Sequence, residues 1–414
     1  MKIVIAGGGI IGLCCAFYLR KSGYSITVMD ENDITSGTSF GNAGYISPSH
    51  FVPLSSPGIV SQGLRWMLNS SSPFYLKPRL NIDLLKFCYT FWKNANHETV
   101  NRNSPYLHKL LDLSRELSIE MKEELGNSFR MKEDGCLMLY KSEVGEQHEI
   151  ELAKLASDFN VEARILNIHE IQEMDPAIDS SVRGGVYYPG DCHVHPGDFM
   201  KAIKVHLEQN GVEFLLNTPV TGFEKSNDHI SAVLSNDKKI DCDEIILATG
   251  SWLPEIVKKL GSTILMQAGK GYSLTFENVD SNIRYPAILV DRRVAMTPMG
   301  PDLRMGGTME ISGLHSPTLP KRARAIYDAA REYYPGLALQ FPAITKIWSG
   351  LRPLTPDGLP YIGRMNNYKN ILIASGHAML GLSLAAATGK LTEEIISHKK
   401  TSMDIEAFRI NRFN

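Results

Sequence analysis

The chain opens on an apolar run, Ile3 to Ala6, that ends in Gly7, Gly9 and Gly12. A longer apolar stretch follows, then a second short run that closes at Asp30. Short apolar runs flanking a longer one predict strand, helix, strand. Near the other end, NILIASGHAMLGLSLAAATGKLTEEII repeats the order strand, glycine, helix, and WSGLRPLTPDGLPYIGR before it reads as an arginine-bearing loop. Between these ends, Leu107, Leu110, Leu111, Leu117, Met121 and Leu125 form one stripe and predict an amphipathic helix over 105–125. FRMKEDGCLMLYKS reads as a hairpin turning at Asp134-Gly135. Pro196 to Asn210 reads as a helix with proline in its first turn and Gly211 just past its end. VEFLLN and the runs from Gly222 to Asp243 read as strands, and DEIILATGSW as a strand aimed at a glycine. Residues 262–311 alternate short strands and turns, which predicts a second, antiparallel sheet. Arg322 to Tyr334 is a helix stopped by Pro335-Gly336.

The first glycine cluster has a direct physical logic. Gly7 permits a tight turn out of the strand, Gly9 lets a pyrophosphate approach the backbone, and Gly12 lets the helix pack on the sheet. Free N–H groups at the helix start, at Ile10 and Ile11, favour phosphate charge. Asp30 stands 18 residues after Gly12, where an acid accepts hydrogen bonds from a ribose diol. It argues against a 2′-phosphorylated ligand. A dinucleotide cradle at the start, with a return at the end, favours a flavin enzyme over a modular nicotinamide dehydrogenase.

Composition narrows the class. At 414 residues, 43% hydrophobic and 21% charged, the chain supports two or three globular domains. A net charge of −2 without a long basic run gives no support for nucleic-acid binding. Six scattered cysteines lack metal-ligand spacing and fit a reducing cytoplasm. His193 and His195 have i, i+2 spacing, but no third ligand accompanies them, so no metal is expected.

Two stretches stay open to more than one reading. Residues 34–64 carry no formal charge and many Gly, Ser and Pro, which suits an ordered loop lining a ligand, with disorder as the alternative. Residues 65–100 interleave Trp66, Met67, Phe74, Tyr75, Leu76, Phe87, Tyr89, Phe91 and Trp92 with Arg65, Lys77, Arg79, Lys86 and Lys93. This fits helices packed on the body of the protein. It also fits a peripheral surface with aromatic anchors and basic flanks that touches lipid.

Taken in order, GGGIIG, SFGNAGYISPSHFVPLSSPG, ATGSW, KGYSLT, RMGGTMEISG, WSGLRPLTPDGLPYIG and GHAMLGLSLAAATGK resemble the D-amino-acid oxidase-like family of FAD-dependent amine oxidoreductases. Within it the chain looks most like the bacterial D-amino-acid dehydrogenases. The resemblance implies an α/β fold: a Rossmann-like FAD-binding domain plus a mixed or antiparallel-sheet substrate domain, as in the glycine oxidases. The FAD domain is expected in three pieces, 1–90, 196–258 and 346–414, and the substrate domain in two, 91–195 and 259–345. By resemblance, Ser39, Asn42, Ala43, Gly44 and Ile46 line the flavin ring or its ribityl chain. Val220 meets the adenine end, and Gly250 lies near the phosphates. Gly376, Met379, Gly381 and Leu382 bring a second helix start to the flavin. No cysteine follows Cys242, so FAD is expected to be non-covalent.

Arg352 is the leading substrate residue, because a guanidinium fork captures an α-carboxylate in bidentate fashion. Its alternative is a surface ion pair or a structural bridge to Asp357. Tyr272 adds a hydroxyl to the same carboxylate or is a core tyrosine. His50 contacts substrate or, as a remoter option, tethers the flavin. The expected reaction moves hydride from the Cα of a D-amino acid to flavin N5, and water then releases the 2-oxo acid. D-proline or 4-hydroxy-D-proline dehydrogenase and a glycine or sarcosine-type oxidase are the alternatives. A flavin-binding electron carrier or assembly factor is the reading from another class. The resemblance implies a quinone or respiratory-chain acceptor. To the cytoplasmic location that fits the cysteines, it adds a peripheral position on the inner face of the cytoplasmic membrane as an option.

Overall fold

The computed structural model describes residues 1–61, 63, 73–236, 238–279, 282–343 and 346–413. Arg65, Trp66 and Met67 of the aromatic stretch lie outside them. The strand Lys2–Ala6 sits centrally in a six-stranded sheet, in the order Tyr361–Arg364, Ile371–Ser375, Glu244–Leu247, Lys2–Ala6, Ser25–Met29, Glu213–Leu215. All neighbours are parallel except the first two. Parallel strands are buried on both faces, which explains their continuous apolar runs: Ile5, Val28 and Ile246 are fully buried. The helices Ile10–Lys21 and Gly381–Ile396 pack together over one face of this sheet. At their crossing a Cβ on Gly389 would stand 2.5 Å from the Cys14 carbonyl, so glycine sets the helix–helix distance.

The second sheet has nine strands and mixed direction. Its order runs Trp348–Leu354, Gln267–Phe276, Asp302–Ile311, Val294–Met299, Ala287–Leu289, Cys136–Tyr140, Gly184–Tyr188, Arg164–Asn167, with Phe74–Leu76 also joined to Asp302–Ile311. The helix Pro320–Tyr333 closes one face through Ala323, Ile326, Ala330 and Tyr333, all buried. Phe74–Leu76 and Trp348–Leu354 run in this sheet, although the boundaries drawn above put both with the nucleotide-binding spans.

Three local expectations need correction. The hairpin at Asp134-Gly135 is absent: Gly135 turns with φ 75°, but Lys132 bridges His193 while Cys136–Tyr140 pairs with Gly184–Tyr188. The turn chemistry is right and the partners are distant: one flank pairs with the strand Gly184–Tyr188 and the other makes an isolated bridge to His193. The helix expected from 105 begins at His97, capped by the Asn96 side chain on the Thr99 N–H, and Pro105 lies inside it. The GLRP segment is a strand rather than a loop.

Candidate functional site

The C-terminal end of the strand Lys2–Ala6 delivers the chain into the glycine cluster. Gly7 has φ 106°, and a Cβ there would enter the Ala248 carbonyl; a Cβ on Gly12 would overlap the Gly7 carbonyl. The helix Ile10–Lys21 therefore starts as close to the sheet as backbone allows. Its N-cap, Gly9, supplies no side-chain cap. The Ile10 N–H donates to Ser39 Oγ, and the N–H groups of Ile11 and Gly12 precede any intrahelical acceptor. Asp30 accepts from the N–H groups of Gly8 (2.7 Å) and Asn32 (2.8 Å), which fixes its carboxylate beside the cradle. Burial raises its pKa despite those bonds. Thr218 N–H donates to the Asp30 carbonyl, which brings the segment containing Val220 to the same strand end; the Val220 carbonyl itself accepts from Lys259 Nζ. Thr249 Oγ1, between the strand Glu244–Leu247 and Gly250, is buried without a partner.

The loop after Asp30 crosses to the second sheet and is held by side chains on that sheet. Ser273 Oγ donates to the Gly41 carbonyl, Thr297 Oγ1 to the Ala43 carbonyl, and Arg304 Nη1 to the carbonyls of Phe40 (3.1 Å) and Asn42 (2.8 Å). Arg304 Nε also donates to Thr275 Oγ1. Its burial lowers the guanidinium pKa to about 10. Ile46 pairs with Cys192 in a two-residue bridge. Asn42 Oδ1 takes the Gly44 N–H. Ser383, in the first turn of Gly381–Ile396, donates to the Tyr45 carbonyl and accepts from Ser47 N–H. The second helix start is thereby tied to the same loop. Gly376 (φ 84°) and Ala378 (φ 48°) make the turn that reaches it, Leu382 is buried, and Met379 is exposed.

Arg352 projects from the strand Trp348–Leu354, paired with Gly269. Its guanidinium lies over Gly271, where any Cβ would overlap it. Nη1 donates to the Thr308 carbonyl at 2.5 Å, and the Met309 sulfur stands 4.0 Å away. Burial lowers its pKa to about 10, with no carboxylate among the described residues to oppose the shift. Asp357, the alternative structural partner, pairs instead with Arg412 at 2.7 Å. A half-buried guanidinium without a carboxylate beside it is poised for an anionic ligand.

Tyr272 does not join this group. Successive residues of a strand face opposite sides, so Tyr272 faces away from Gly271 and Arg352. Its hydroxyl donates to Glu310 Oε2 (3.0 Å) and accepts from Leu319 N–H, within the core under the helix Pro320–Tyr333. His50 is placed on Ser49: its Nδ1 is 3.0 Å from Ser49 Oγ, which donates to Asp191 at 2.6 Å. Burial lowers the His50 pKa to about 4 and raises that of Asp191 to about 7. His195 Nδ1 caps the helix Pro196–Gln209 by accepting from Asp198 N–H.

Sequence reading missed Arg304, Ser273, Thr297 and Trp348. Strand alternation within KGYSLT and RMGGTMEI puts Arg304, Gly306 and Ser273 on one face and was the available signal. Trp348 Nε1 is buried without a partner, and its indole lies against Gly41. The cradle, the fixed acid, two uncapped helix starts and these unpartnered polar atoms fit a bound dinucleotide whose ring end lies between the two sheets.

A largely parallel nucleotide-binding sheet, joined through such a loop to a mixed sheet carrying a half-buried arginine, defines a two-domain flavoenzyme. The chain belongs to the DAO family of FAD-dependent oxidoreductases, whose model matches residues 2–395. It is 33% identical over 399 residues to a D-amino acid dehydrogenase of Helicobacter pylori, covering 94% of this chain and 93% of that one. It is 30% identical to a D-amino acid dehydrogenase of Granulibacter bethesdensis, with all of both chains covered. In structure it is similar to glycine oxidase from Geobacillus kaustophilus, with a TM-score of 0.80 at 20% identity over 100% of this chain and 99% of the other. L-proline dehydrogenase from P. horikoshii gives 0.77 at 22%, over 100% and 97%. These two share the fold.

Proposed function

We propose that this FAD-dependent oxidoreductase dehydrogenates a D-amino acid at Cα and passes the electrons to a membrane quinone. The observation that carries the reading is Arg352: half-buried, held by one backbone carbonyl, and with no carboxylate beside it among the described residues. The D-amino acid dehydrogenases that the chain resembles over nearly its whole length support the substrate class. Arg352 fixes the α-carboxylate through its open N–H groups. Gly271 leaves room for the guanidinium against the sheet. Gly7, Gly9, Ile10, Ile11, Gly12 and Gly250 serve the pyrophosphate, Asp30 and Val220 the adenosine end, and Ser39, Asn42, Ala43, Gly44, Ile46, Gly376, Met379, Gly381 and Leu382 the flavin end. FAD, held without a covalent bond, supplies the hydride acceptor. Because hydride rather than a proton leaves Cα, the chain needs no base at that carbon; orientation is its contribution. His50 has no role in this reading beyond holding the loop through Ser49 and Asp191.

The membrane contact falls on the helix Ile82–Asn94. Its inner face buries Leu84 and Phe87, and its outer face carries Ile82, Leu85, Tyr89 and Trp92, about 60% exposed or more, with Lys86 and Lys93 beside them. An apolar stripe flanked by lysines suits an anionic lipid surface. No helix among the described residues is long and apolar enough to cross a membrane.

Anaerobic bleaching of the holoenzyme against D- and L-amino acids, glycine, sarcosine, D-proline and 4-hydroxyprolines tests the reaction. Bleaching by D-amino acids, with kcat/KM reduced about 100-fold or more in Arg352→Ala, is the expected result. A dithionite-reducible protein inert to all of them would overturn it. Bleaching by glycine or sarcosine alone would replace the D-amino acid with those substrates.

A further inference from the structure

The strand Asp302–Ile311 carries a fault at one place. Along Gln267–Phe276 its register runs from Phe276↔Leu303 to Tyr272↔Gly307 and then jumps to Lys270↔Glu310. Two residues, Thr308 and Met309, thus stand opposite the single Gly271, which is a β-bulge. The strand changes its other neighbour at the same point, from Val294 at Gly307 to Phe74 at Met309. Gly271 is also where the Arg352 guanidinium rests.

Thr308 has φ 60°. That region strains a β-branched residue and suits glycine, which the strand already carries at Gly306 and Gly307. The kink turns the Thr308 carbonyl onto Arg352 Nη1. A glycine would present that carbonyl equally well and with less strain. What threonine adds is a hydroxyl. Thr308 is 7% exposed, and its Oγ1 is buried with no hydrogen-bond partner. A buried, unpaired hydroxyl on the residue whose carbonyl holds the guanidinium calls for an acceptor that arrives with the ligand. A carboxylate has acceptor sites to spare after a bidentate arginine contact.

We propose that Thr308 is a substrate-binding residue whose Oγ1–H donates to the carboxylate that Arg352 holds. The inference rests on the amino-acid reading of the site. Arg352 gives charge and Thr308 gives direction: one Nη is tied to the Thr308 backbone, so the same residue fixes the guanidinium and binds its ligand.

The test uses holoenzyme with Thr308→Val, Thr308→Ser and Thr308→Gly, with FAD content and Tm measured for each. Valine keeps the shape and the strain but removes the hydroxyl. KM for the D-amino acid then rises about 10- to 100-fold, which is about 1.4–2.8 kcal/mol, while kcat changes little. Binding of the 2-oxo acid, followed by its perturbation of the flavin spectrum, weakens by the same factor. Serine restores both to within a few-fold. Glycine raises Tm and still binds weakly, a combination that a purely structural threonine does not produce. The corresponding amine with a hydrogen in place of the carboxylate, which offers the hydroxyl no acceptor, is insensitive to the valine change. Wild-type KM in Thr308→Val, or equal losses for the acid and this amine, overturns the assignment while leaving the amino-acid reaction intact. A wild-type protein inert to every amino acid overturns both.

Discussion

At the scale of single residues, this site is defined by what its neighbours omit. Arg352 can lie flat on the sheet because position 271 has no side chain. Gly271→Ala should therefore act as an arginine variant without touching the arginine. The new methyl displaces the guanidinium, and displacement by about 1 Å is enough to lower kcat/KM about 100-fold. FAD content and Tm should stay near wild type, because Gly271 lies away from the nucleotide cradle. Steady-state kinetics beside the flavin absorption spectrum would check this, and wild-type KM in the alanine variant would contradict it. How legible such residues were depended on whether chemistry or geometry carried the message. GLRP marked Arg352, and GGGIIG with Asp30 marked the cradle, because those residue types have few other uses in that order. Tyr272 misled: a hydroxyl one residue from Gly271 is near in sequence but on the other face of the strand, against Glu310. Thr308 was invisible, since nothing in GGTME announces φ 60° or an unpaired hydroxyl.

Among the elements, strands and helix starts were readable from their patterns, and their partners were not. Ile3 to Ala6, Ile245 to Leu247 and Ile371 to Ala374 are apolar throughout, as befits buried parallel strands, and all three lie side by side. The Asp134-Gly135 turn was read from local chemistry, yet its flanks pair with residues more than 40 positions away. Pairing over such distances is set by the folded sheet, beyond the reach of a turn signal. The loop 38–46 shows how one element is held by another. Its carbonyls at Phe40, Gly41, Asn42 and Ala43 all accept from side chains of the larger sheet, and Arg304 alone takes two of them. Arg304→Met keeps the bulk and removes the donors, leaving two carbonyls unsatisfied at about 1–3 kcal/mol each. The expected result is FAD that dissociates on dilution, with its Kd raised at least tenfold, while holoenzyme reconstituted at high FAD keeps its KM. Arg304→Lys should recover only part of this, since one ammonium cannot also follow the fork to Thr275. Unchanged FAD retention in the methionine variant would remove Arg304 from the loop's support.

For the whole molecule, one helix stands turned outward from the two sheets. Most apolar side chains of Ile82–Asn94 could have faced the core, as Leu84 and Phe87 do. Instead Ile82, Leu85, Tyr89 and Trp92 point to solvent along one stripe, with Leu80 fully exposed just before it. Asp83 is the acid within this helix and is paired to Lys258, so Lys86 and Lys93 give the stripe a net positive rim. A water-soluble acceptor would need no such face, whereas a quinone dissolved in lipid requires the enzyme to come to the bilayer. Burial of these side chains supplies affinity in proportion to apolar area, and the lysines add about 1 kcal/mol each at an anionic surface. The protein should therefore sediment with vesicles rich in anionic phospholipid, bind neutral phosphatidylcholine vesicles more weakly, and release as salt rises. Leu85→Glu with Trp92→Glu should abolish sedimentation and reduction of vesicle-borne quinone, yet leave anaerobic bleaching at wild-type rate, since neither residue belongs to the flavin site. Equal quinone reduction with and without the two glutamates would rule out this face as the membrane contact. Sedimentation velocity adds the remaining discrimination: a dimer that the same substitutions dissociate, without vesicle binding in the wild type, would assign the stripe to a second copy of the chain.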